Sequence, residues 1–167
     1  MGANRGKELE EKVKEALERE FENGVDFIRL YDITMGYFGV KNPCDFVIYK
    51  YPLQFYLECK STNENTYNLS KLSQYEDLLK HSRPNLGIRA GILLWFVEHK
   101  ETYWIDIRHI EGLKKLGYKS INIKNLRSLE LPTKNIFKLD GITKRVFTEY
   151  QLKSFFDYFT ESEDIFV

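Results

Sequence analysis

Asp45, Glu58 and Lys60 are the residues whose types and spacing could do chemistry together. Two apolar, β-branched and aromatic runs, 45–50 (DFVIYK) and 54–60 (QFYLECK), flank a short break at Tyr51-Pro52-Leu53. Such runs favour strands, and proline, which has no N–H to give a ladder, belongs in the connection. Strands joined so briefly pair antiparallel as a hairpin. With the turn at Tyr51-Pro52, Lys50 faces Leu53 and Asp45 falls opposite Glu58. Alternation then puts Lys60 on the face of Glu58, and Phe55, Leu57 and Cys59 on the other. Opposed side chains have Cβ atoms ~5 Å apart, and a one-residue slip would separate the two acids. Carboxylate oxygens are the hard ligands that Mg²⁺ prefers, usually one or two of them beside a substrate phosphate. A lysine next to them can hold or deprotonate an attacking water, or neutralise charge growing on phosphate. These are the parts of metal-assisted phosphodiester hydrolysis. The plainer alternative makes Glu58 and Lys60 the solvated face of an amphipathic strand.

Pro43-Cys44-Asp45 followed by Glu58-Cys59-Lys60 resembles the PD-(D/E)xK nuclease signature, with one residue inside the Pro-Asp pair. Asn4-Arg5-Gly6 followed by Leu9-Glu10, the run Glu58-Cys59-Lys60-Ser61-Thr62, and Gln74 after a polar loop narrow the resemblance to the RecU family of Holliday-junction resolvases, a phage-type member included. It covers residues 4 to about 110, in matching order. The resemblance implies a Mg²⁺-dependent DNA endonuclease of recombination and repair, with Mn²⁺ able to substitute. Asp45 and Glu58 would bind the metal with the backbone carbonyl of Cys59; Lys60 would orient or activate water and meet the DNA. Glu10 and Gln74 would support the metal shell, and Arg5 would contact phosphate. It implies a homodimer, because a junction has two strands to cut, with an interface expected near residues 31–38. Cellular relatives carry a longer stalk before the metal aspartate, where this chain has a short loop. Branched or linear duplex DNA other than a junction therefore stays open as the substrate. A module of another class, keeping the fold to bind DNA without cutting it, is the further alternative; loss of a carboxylate or the lysine would have favoured it.

Composition limits the rest. The 167 residues are 43% hydrophobic and 15% aromatic, enough for one domain over 1–167 with a sizeable core. Lysine and arginine number 25 and the acids 25, so no basic excess announces a DNA-coating protein. An acidic metal site beside basic patches is compatible with that balance. Cys44 and Cys59 make neither a disulfide framework nor a zinc set, no phosphate-loop motif occurs, and free thiols in a cytoplasmic chain are expected. No apolar run approaches the ~20 residues of a membrane span.

The elements that must position these residues follow from periodicity. Leu9, Val13, Ala16, Leu17 and Phe21 recur at helical spacing over 7–21, with Asn23-Gly24 as the stop. Glu10 borders that stripe, but Glu8, Glu11, Glu15 and Glu18 are its equals in sequence. A strand is predicted over 27–33, then the Gly-rich aromatic stretch 35–39, and after the hairpin a loop over 61–68. Residues 70–81 read as a helix with Leu72, Tyr75, Leu78 and Leu79 inward, Ser73 and Glu76 in capping-box spacing, and Gln74 near its positive end. Residues 90–97 (AGILLWFV) read as a central strand buried on both faces. A second hairpin strand over 102–107, a helix over 108–116 closed by Gly117, and a strand over 119–123 follow, with His99 in a turn. Residues 148–159 are predicted as a final helix, capped by Thr148 and Gln151, and 129–145 is either a substrate-side flap or plain surface. Together these predict an α/β fold, a restriction-endonuclease-like mixed central β-sheet flanked by α-helices, with a parallel pair where the helix over 70–81 crosses between strands.

Overall fold

A computed structural model of the protein describes residues 4–31, 41–143 and 148–161. Helix α1 (Arg5–Arg19) leads into strands β1 (Val25–Arg29), β2 (Phe46–Lys50) and β3 (Leu53–Thr62). After β4 (Thr66–Asn68) and helix α2 (Tyr75–His81) come β5 (Ile88–Phe96), β6 (Glu101–Asp106) and helix α3 (Ile107–Lys115). The chain closes with β7 (Ser120–Asn122), α4 (Ile123–Arg127), β8 (Ile136–Lys138), β9 (Asp140–Thr143), β10 (Thr148–Gln151) and α5 (Lys153–Glu161).

Six strands form one mixed sheet in the order β1-β2-β3-β5-β6-β8. β3 and β5 are parallel, with α2 in the crossover between them, and the other neighbours are antiparallel. The expected mixed sheet flanked by helices is therefore the observed one. β5 alternates its side chains into two cores: Leu93 joins Leu9, Val13 and Leu17 of α1 and Phe155, Phe156 and Phe159 of α5, while Ile92 and Leu94 join Leu78, Ile107, Ile110 and Leu126. Phe55 centres the first core, its ring centroid 5.4–6.0 Å from those of Trp104, Phe155, Phe156 and Phe159. These tilted and edge-on contacts suit the ring quadrupoles. Among the described residues no helix is long and apolar enough to cross a membrane.

Several sequence expectations are corrected. α1 stops at Arg19; a 3₁₀ turn over Phe21–Asn23 follows, capped by left-handed Gly24 (φ 85°), and takes Phe21 off the helical stripe to 64% exposure. β1 begins two residues early, at Val25, and ends at Arg29. The predicted loop over 61–68 shrinks to residues 63–65, between the end of β3 and β4, which pairs with β7. The capping box at Ser73 is not made: a 3₁₀ turn over Leu69–Lys71 precedes α2, whose N-cap is Gln74. Thr148 and Gln151 lie in β10 rather than a cap, paired with Thr143 and Asp140 of β9. Within 129–145, β8 completes the main sheet edge and β9 starts a hairpin. Stretch 35–39, and most of the expected dimer-interface stretch 31–38, lie outside the described residues.

Candidate active site

The hairpin register is the one that the sequence predicts. Lys50 pairs with Leu53 and Phe46 with Leu57. One step beyond the ladder the regular pairing ends. Asp45 donates its backbone N–H to the carbonyl of Leu57, the residue that Phe46 already faces, at 3.1 Å. The expected direct opposition of Asp45 and Glu58 is thus replaced by a bend at Asp45. The Asp45 carboxylate then turns along the neighbouring strand and accepts the Cys59 N–H at 2.8 Å. Lys60 Nζ lies 3.3 Å from Glu58 Oε1. The three side chains meet in a cleft of about 260 Å³ at the end of the sheet.

Two more elements close that cleft. The first turns of α1 bring Asn4, Gly6, Lys7 and Glu10, and the start of α2 brings Gln74. Asn4 caps α1 by accepting the Lys7 N–H at 3.2 Å, so the helix begins at the cleft wall. Glu10 hydrogen-bonds to Asp45 and lies 3.5 Å from Arg29 of β1. Arg29 also pairs with Glu11 at hydrogen-bond distance and so anchors this face of α1. Sequence reading missed Arg29, Lys7 and Asn42, and used Asn4 only as part of a motif, without a role in the cleft. Lys7 carried a signal, since it stands three residues before Glu10 and shares its helical face.

Electrostatics distinguish the two acids from ordinary surface carboxylates. Asp45 and Glu58 are 9% and 5% exposed, which removes the solvated-face reading of Glu58. Burial pushes the Asp45 carboxyl up to about 6; the Glu58 charge adds to this, while Glu10, the Cys59 N–H and Lys60 oppose it. Desolvation also pushes the Cys44 thiol up to about 12 and the Cys59 thiol well above its ordinary value. Both thiols are free and buried, and neither is a reactive thiolate.

The donor set suits a hard divalent cation. Gln74 Oε1 is buried without a hydrogen-bond partner, although buried amide oxygens are ordinarily satisfied. The carboxylates of Asp45 and Glu58 border the same space, and so does Cys59, whose thiol packs in the core. Among the described residues no three His, Cys, Asp or Glu side chains form a metal cluster. Two carboxylates completed by neutral oxygens resemble what Mg²⁺ takes, and sulfur or imidazole would be the wrong donors. Arg5 stands apart from the cleft lining: it pairs with Glu8 at 2.8 Å, its guanidinium 5.9 Å from the Trp95 ring centre.

No protein-family model matches the sequence, and no curated protein matches it. Among solved structures the chain is similar to that of Archaeoglobus fulgidus Hjc, a Holliday junction resolvase from an archaeal hyperthermophile. The identity is 20% and the TM-score 0.42, over 78% of this chain and 86% of that one.

Proposed function

We propose that the chain is a Mg²⁺-dependent DNA endonuclease that hydrolyses phosphodiester bonds in branched DNA, like the RecU-type resolvases its motifs resemble. The observation that carries this reading is the meeting of Asp45, Glu58 and Lys60 in one cleft, with the unpartnered Gln74 oxygen beside them. Asp45, Glu58, Gln74 and the Cys59 carbonyl would hold the cation, with Mn²⁺ substituting. When bound there, it would supply a Lewis acid to polarise the scissile phosphate and acidify a water.

The chain's own groups do the remainder. The Cys59 N–H fixes the Asp45 carboxylate, and Arg29 holds Glu10 against it. Lys60, anchored on Glu58, presents an ammonium to the phosphate and to the attacking water. Hydrolysis adds water across one P–O bond and leaves a phosphate monoester and a hydroxyl. Positive charge at Lys60 stabilises the developing phosphorane, and Lys7 at the cleft wall attracts the same anion. Arg5, exposed at the start of α1, would take a neighbouring phosphate. Two such sites are needed to cut two strands, so the active particle would be a homodimer.

Cleavage of a synthetic four-way junction, beside a linear duplex of the same sequence, tests the reading with and without Mg²⁺. Metal-dependent cleavage of the junction is expected. No cleavage of either DNA with Mg²⁺ or Mn²⁺ would overturn it, and equal cleavage of both would reduce it to a general duplex nuclease. Light scattering on the junction complex should give twice the 19.9 kDa chain mass as the protein part.

A further inference from the structure

A second groove, of about 530 Å³, opens where α3 ends. Lys114, Tyr118 and Lys119 form one wall, and Asn68, Leu69 and Ser70 the other. The walls are tied together: Leu69 donates its N–H to the Lys119 carbonyl at 2.9 Å, and Asn68 pairs with Ser120 across β4 and β7. Gly117, left-handed at φ 88°, turns the chain out of α3 and sets Tyr118 at the rim, 55% exposed.

The chemistry of this lining is not that of an ordinary surface. It brings two ammonium groups and no carboxylate, although the chain as a whole carries as many acids as bases. On the same helix Arg108 and Lys115 are offset by Glu111. Buried Leu69 gives an apolar floor, with an amide and a hydroxyl beside it. An exposed ring next to lysines over an apolar floor suits a stacked base and its phosphates. A volume of this size takes in one or two nucleotides and not a duplex. One contact links the groove wall to the cleft wall: Lys114 Nζ lies 3.8 Å from the ring centre of Tyr75, which follows the cleft residue Gln74 in the chain.

We propose that this groove holds unpaired nucleotides of a DNA strand leaving the cleft, with a base on Tyr118 and phosphates on Lys114 and Lys119. The substrate class is then branched DNA with a single-stranded arm. The inference rests on the nuclease reading and names the substrate of that same site.

Fluorescence anisotropy in EDTA, where no strand is cut, compares a blunt duplex with the same duplex bearing a short unpaired arm. The wild-type protein should bind the armed DNA more tightly. Tyr118→Ala should lose about tenfold on the armed DNA, as the loss of one stacked base does, and nothing on the blunt one. Lys114→Gln with Lys119→Gln should weaken armed binding and flatten its salt dependence. All three side chains are exposed, and unchanged melting temperatures verify the fold. No preference for the armed DNA, or a Tyr118→Ala loss that is absent or equal on both DNAs, overturns the groove. If Asp45→Asn stops cleavage while Tyr118→Ala binds like wild type, the groove alone is wrong. If Asp45→Asn still cleaves while Tyr118→Ala loses the armed DNA, the cleft assignment is wrong and the groove stands.

Discussion

The Asp45 carboxylate accepts the backbone N–H of Cys59 at 2.8 Å, so one acid of the cleft is fastened to the strand that carries the other. Any movement of β3 that displaces Glu58 displaces Asp45 with it. The two oxygen donors keep their spacing through the hairpin, and need no help from a flexible loop.

Asp45→Asn keeps an oxygen acceptor for that N–H and removes the charge. Glu58→Gln does the same for the partner of Lys60. Both variants should fold and lose cleavage, with DNA binding equal or tighter because less negative charge faces the phosphates. Circular dichroism, anisotropy and a cleavage assay on each variant test this. Mg²⁺-dependent cleavage at the wild-type rate by either one would sink the assignment.

The raised Asp45 carboxyl links the site to pH. Its ordinary value is 3.8 and burial takes it to about 6, so the folded protein keeps the proton to higher pH than the unfolded chain. The stabilising contribution is complete below the ordinary value and is lost as pH rises through about 6. In EDTA, wild type should therefore lose on the order of 2–3 kcal/mol relative to Asp45→Asn between about pH 4 and pH 7. Denaturant melts at both pH values measure the difference. Cation and proton compete for this group, so Mg²⁺ affinity should climb towards pH 6 and then level. A pH-independent gap between the two proteins would place the proton elsewhere.

Lys60 separates charge stabilisation from metal holding. An ammonium cannot be an oxygen-type ligand, so Lys60→Ala should leave Mg²⁺ affinity unchanged or slightly raised. The cleavage rate should fall on the order of 10²-fold or more. Asp45→Asn should weaken Mg²⁺ directly. Calorimetric metal titrations of the two variants decide it: a Lys60→Ala protein that binds Mg²⁺ as poorly as Asp45→Asn contradicts the division.

The hairpin was legible from Phe46 to Leu57 because a proline turn fixes its register, and a period of two then assigns the faces; the bend at Asp45, just beyond, was not. The role of Glu10 was not legible from periodicity. Five glutamates on α1 look alike in sequence, and what sets this one apart is its place in the cleft lining beside Asp45 and Glu58, which only the packing of the helix on the sheet decides. β4 is three residues, too short for any periodic signal, and is hidden in an expected loop, whereas its partner β7 falls inside the strand predicted over 119–123. At 148–151 a capping-box spacing competed with Thr and Tyr, which favour strands. Tertiary contact decided in favour of the strand, since the Tyr150 hydroxyl reaches Thr102 Oγ1 at 2.8 Å.

Gln74 offers the sharpest test of the metal itself. Its Oε1 is buried with no partner, a state that costs roughly 1–3 kcal/mol when water is excluded. Gln74→Met keeps the length of the side chain and removes the unsatisfied acceptor. In EDTA the variant should be as stable as wild type or more so, because nothing in the protein loses a hydrogen bond. With Mg²⁺ the order should change: a bound cation stabilises the folded state in proportion to its affinity, and the variant has lost one oxygen donor. The rise in melting temperature on adding Mg²⁺ should therefore be smaller for Gln74→Met than for wild type, and cleavage should need more metal to saturate. An equal Mg²⁺-induced rise in both proteins would remove Gln74 from the metal shell and leave its buried oxygen a structural cost without a ligand.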